Sequence, residues 1–126
     1  MGQPLATRVT FLLKTAMFPA SAPGGNVDPK LKSDDFVLGY IYGVITACDI
    51  EGNTEEKGLF IVQVFEQLFP GNGSSLTDAC NKRVVQKDPA FKQAIRLGFG
   101  EMMELANSGG NGTLHSLLDH VCKHYV

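Results

Sequence analysis

The sequence predicts an all-α fold: a single compact bundle of five to six helices built around a central hydrophobic helix pair. Three observations carry that expectation. Apolar residues recur at helical spacing in each long segment. Helix caps and glycine-rich stops punctuate the chain at short intervals. No stretch alternates apolar and polar residues with a period of two. A length of 126 residues fits one domain, 1–126. That is enough chain to bury a core without disulfides or a structural metal.

The elements follow in order. Pro4 suits a first helical position, and Leu5, Val9, Leu12, Leu13 and Ala16 share one face of a helix over residues 4–18. Residues 19–32 hold Pro19, Pro23, Gly24, Gly25 and Pro29, and read as a Pro/Gly-rich connection. Ser33-Asp34-Asp35 then starts a second helix, because either of the first two can cap it and acids favour its positive end. This helix runs to about Asp49. Phe36, Val37, Tyr40, Ile41, Val44 and Ile45 cover most of its surface, leaving a strip of Gly39, Tyr42, Gly43 and Thr46 without bulky aliphatic side chains. A helix that is apolar nearly all round belongs in a protein centre.

Asn53 and Glu56 form a capping pair for a third helix, which ends at Phe69 and shows only a narrow polar side of Gln63, Glu66 and Gln67. Residues 70–74, PGNGS, stop it. Ser75 with Asp78 predicts the start of a short fourth helix reaching about Gln86. Asp88-Pro89 opens a fifth, with Phe91, Ala94, Ile95, Gly98, Met102 and Leu105 at helical spacing. The run NSGGNG, 107–112, ends it. Thr113 caps a last helix, where Leu114, Leu117, Leu118, Val121 and Tyr125 share a face. Residues 36–48 and 59–69 are expected at the centre, packed by the last two helices.

Composition narrows the function classes. The formal net charge is −2, and no basic run exceeds Lys82-Arg83. Phosphate-backbone binding needs a basic patch, so nucleic acid is not expected as a partner. No apolar run reaches the roughly 18 residues of a membrane span, so no membrane association is expected. Lys14 interrupts the N-terminal apolar run, which reads as part of the folded domain rather than as a signal peptide. Cys48, Cys80 and Cys122 are odd in number, far apart and set among apolar neighbours. They read as reduced, buried thiols, with one Cys48–Cys80 or Cys80–Cys122 bridge as the alternative, and the protein as cytoplasmic. The sequons at Asn72 and Asn111 lie in turn sequences that explain them without glycosylation.

Four constellations bear on chemistry. From Asp49 to Phe60 the chain carries side-chain oxygens at alternate positions (Asp49, Glu51, Asn53 and Glu55), as a calcium loop would, but Thr54 stands where such a loop needs glycine and Phe60 where it needs its closing Glu. A capped turn between helices accounts for it. His120 and His124 lie four apart on the last helix, a spacing that presents two imidazoles to one metal ion. His115, Asp119 and Cys122 make a second such set on its other flank. Gly39-x-x-x-Gly43 permits close approach of another backbone, or alternatively leaves a small ligand pocket with Tyr42, Thr46 and Asp49. No nucleophile elbow, zinc-protease or nucleotide-binding glycine signature is present, so the sequence points away from an enzyme, and no cofactor is expected. The expected function is a non-enzymatic interaction module, associating as a homodimer or with another protein. The rival is a small-ligand or metal-binding protein, with catalysis within its range. It would use the Tyr42–Asp49 segment or the C-terminal histidines.

Overall fold

The computed structural model describes residues 5–17, 29–48, 54–107 and 114–125. They form six α-helices: α1, Leu5–Met17; α2, Asp35–Cys48; α3, Thr54–Leu68; α4, Gly73–Val85; α5, Pro89–Asn107; and α6, His115–Tyr125. A short 3-10 helix, Pro29–Ser33, leads into α2 and lies at the end of the segment expected to be an irregular connection. No strand occurs among the described residues. The all-α bundle is therefore as the sequence predicts.

Local chemistry sets the helix ends. Asp34 caps α2: its Oδ1 accepts the backbone N–H of Phe36 at 2.9 Å and of Val37 at 3.2 Å. Asp88 does the same for α5, accepting from Ala90 at 3.0 Å and Phe91 at 3.3 Å. Asn53 and Thr113, the expected caps of α3 and α6, lie outside the described residues, as does Asp49. The start of α4 differs from expectation. It begins at Gly73, not at Ser75, and Asn72 at its N-cap makes no side-chain cap bond. The carboxylate of Glu66, one turn back in α3, accepts the N–H groups of Gly71 at 2.6 Å and Gly73 at 3.0 Å instead. These bonds, Gly71 first, lower the Glu66 pKa.

α2 is the central helix, with nine buried residues from Val37 to Ala47. Its closest partner is α5, reached through glycine. A side-chain carbon at Gly43 would overlap the backbone carbonyl of Ile95, and one at Gly98 would overlap the carbonyl of Tyr40. At Gly39 it would lie 2.8 Å from the Cβ of Ala94. The two backbones thus touch where the sequence removes side chains from both helices. α3 contributes Ile61, Val64, Phe65 and Leu68 to the same core but packs mainly against α4 and α1. The expected pairing of 36–48 with 59–69 is therefore looser than the α2–α5 contact. α6 lies against α1 and α5. The core is one continuous cluster that takes residues from all six helices.

Candidate functional site

Two carboxylates on the central helices organise the polar chemistry of the molecule. The first is Asp34. While Oδ1 caps α2, Oδ2 accepts from His120 Nε2 at 2.8 Å and from the Tyr125 hydroxyl at 2.7 Å. His120 stands at the middle of α6 and Tyr125 at its end, and both reach the same acceptor. The His120 ring stacks on Phe36, with centroids 4.3 Å apart and planes inclined by 23°. His124 follows with its centroid 4.5 Å from that of His120. Burial works to raise the Asp34 pKa, but the hydrogen bonds from His120, Tyr125 and the Val37 N–H outweigh it and hold the carboxyl below its ordinary value.

The second carboxylate is Glu101, buried on α5. Oε1 accepts from the Tyr40 hydroxyl at 2.6 Å and from the Ser116 N–H at 3.0 Å, and Oε2 accepts from the Ser116 hydroxyl. Glu101 thereby caps the N-terminus of α6 from another helix, where a negative charge is favoured. His115 Nε2 stands 3.8 Å from Oε1, on the exposed side. Burial, and then Glu101 itself, push the Tyr40 phenol far above its ordinary pKa, so it is a fixed donor. Spacing alone signals neither network. The partners of Asp34 lie 86 and 91 residues away and those of Glu101 up to 61.

The histidines do share a face, as their spacing predicts. The nitrogen of His120 that Asp34 holds is nevertheless committed to a structural tie. Among the described residues no three His, Cys, Asp or Glu side chains converge as metal ligands. His115, Asp119 and Cys122 are all exposed on α6, and His115 turns toward Glu101. Gly39, Tyr42, Gly43 and Thr46 do not gather round one space. α5 covers Gly39 and Gly43. Tyr42 turns toward α4, its hydroxyl 3.3 Å from Asn81 Oδ1. Thr46 bonds back to the carbonyls of Tyr42 and Gly43 in its own helix. Of the two readings of the glycine pair, close packing is what the geometry displays.

A cleft of about 180 Å³, unforeseen in the sequence, opens between the 3-10 helix, α2, α4 and α5. Gly39, Tyr42, Gly43 and Thr46 do not line it. Cys80 lies at its inner wall, fully buried, and Arg83 crosses its mouth to Asp35 at 2.6 Å and toward Asp88 at 3.6 Å. Burial pushes the Cys80 thiol up to about 12. A thiol so strongly protonated is a poor nucleophile. The described cysteines are all free thiols, but of the three expected to be buried only Cys80 is: Cys48 is half-buried and Cys122, on the outer side of α6, is exposed. No helix among the described residues is long and apolar enough to cross a membrane. Compared with models of protein families, with curated proteins and with solved structures, the chain matches none of them.

Proposed function

We propose that the chain is a non-enzymatic protein-interaction module that associates with a second copy of itself. The observation that carries this reading is the placement of uncommitted apolar groups. Phe11 is 68% exposed, Val85 79% and Leu97 38%, each on a different helix. The groups suited to chemistry are instead engaged inside: Asp34 and Glu101 tie helices together, and Cys80 is sealed and protonated. The broad apolar surface of α2 is covered within one chain. Any self-association surface therefore lies on an outer helix face. A subunit contact on such a face would bury the apolar side chain that it presents.

Sedimentation velocity on untagged protein, from micromolar to near-millimolar concentration, tests the reading. A reversible or stable dimer is the expected result. A strictly monomeric species throughout rejects self-association. Native mass spectrometry adds a second check, because a stoichiometric mass increment from a metal or small molecule would favour the ligand-binding alternative.

A further inference from the structure

Glycine marks both faces of α5. Gly98 faces inward, against Tyr40, whereas a side chain at Gly100 would meet nothing. At about 100° per residue, Arg96, Leu97, Met103 and Glu104 surround Gly100 on that outward face. Arg96, Leu97, Gly100 and Glu104 are exposed and Met103 is half-buried. Neither Arg96 nor Glu104 has an ion-pair partner among the described residues. Eight positions of one helix separate them by about 12 Å along its axis, too far to pair with each other.

We propose that this face is a homodimer interface, in which two copies of α5 pack antiparallel about a two-fold axis beside Gly100. The proposal rests on the self-association reading and names its surface. A two-fold axis at residue 100 brings any position above it level with the position equally far below it on the other copy. Arg96 then stands level with Glu104 of the partner subunit, and Leu97 level with Met103 of the partner subunit. Symmetry supplies each pair twice. The level pairs sit on opposite sides of the seam, so long side chains must cross it. The missing side chain at Gly100 lets the helix axes approach closely enough for that. The face is thus complementary to itself in charge and apolar at its middle.

The two other exposed apolar residues lack this property. The charged residues of α1 around Phe11 are Arg8 and Lys14, both basic, so a symmetric copy would bring like charges together. Val85 is the last residue of α4, with no further turn to extend a contact.

Sedimentation velocity on the full chain and three variants tests the interface. Arg96→Glu and Glu104→Arg are each expected to weaken the dimer by about tenfold or more, through like-charge repulsion. The double variant, with both charges exchanged, is expected to recover it. All sites are exposed, and circular dichroism should show unchanged helix content. A wild-type dimer that survives all the variants unchanged overturns this interface while leaving self-association standing. A wild-type monomer overturns both.

Discussion

Lys87 has a backbone conformation that its residue type resists. Its φ is 57°, in the left-handed region, immediately after α4. Its N–H bonds the Val84 carbonyl at 3.1 Å and the N–H of Asp88 bonds that of Arg83 at 3.4 Å, which closes α4 in a Schellman motif. Glycine is the usual occupant of that position, because a Cβ there costs roughly 1 kcal/mol. Lys87→Gly is therefore expected to raise stability by up to about 1 kcal/mol, measured as a higher thermal midpoint. An unchanged or lower midpoint would show that the strain is relieved elsewhere. Asp34 sets a pH dependence at the same scale. Its folded pKa lies below the ordinary 3.8, so its stabilisation is fully present above that value. The stabilisation is lost as pH falls through the folded value. Urea midpoints for wild type should drop more steeply below about pH 4 than those of Asp34→Asn, which lacks the titrating group. Parallel acid limbs for the two proteins would contradict that assignment. The cysteines offer a third contrast: a thiol reagent should label exposed Cys122 rapidly and leave Cys80 untouched until the protein unfolds.

At the scale of elements, the α2–α5 contact governs the bundle. Alanine in place of glycine normally adds about 1 kcal/mol to a helix. At Gly43 the added carbon meets the Ile95 carbonyl, which is backbone and cannot step aside alone. Gly43→Ala is expected to lose about 2 to 3 kcal/mol net, whereas Gly100→Ala, facing open space, should gain about 1 in dilute, dissociated protein. Equal urea midpoints for the two variants would remove the close-packing argument. The same contact explains what the sequence makes legible. Caps at Asp34 and Asp88 can be read directly, because a cap involves only residues two and three positions on. The glycine pair in α2 signals a close neighbour but does not name it. Its complement, Gly98, lies in a different helix beside an outward-facing Gly100, and only the tertiary fold shows which of the two matches it. The start of α4 escapes for a related reason. Its donors are satisfied by Glu66 from the preceding helix, not by a residue at the cap. The His120–His124 spacing can be read as a chelating pair, yet Asp34 claims His120 from 86 residues away.

At the scale of the whole molecule, α6 is what closes the bundle. It is among the shortest helices and the last in the chain, yet it is tied at both ends to the centre. Glu101 caps its beginning, and Asp34 takes His120 at its middle and Tyr125 at its end. Between these ties the Leu114–Val121 stretch places Leu114, Leu117 and Val121 in the core, each essentially without solvent exposure. Their burial contributes about 2 kcal/mol each, about 6 kcal/mol together, against a typical domain stability of roughly 5–15 kcal/mol. Losing α6 would also leave Glu101 and the Tyr40 hydroxyl without their arrangement in the interior, a cost of the same sign. A chain ending at residue 113 is therefore expected to lack a cooperative unfolding transition, with a flat thermal melt by circular dichroism and dispersed amide resonances lost. Tyr40→Phe in the full chain is the milder version of the same test. It removes one donor from Glu101 and should lower stability by about 1 to 3 kcal/mol while the transition stays cooperative. If the truncated chain instead melted sharply near the wild-type temperature, α6 would be an appendage, and its ties to Asp34 and Glu101 would not hold the bundle together.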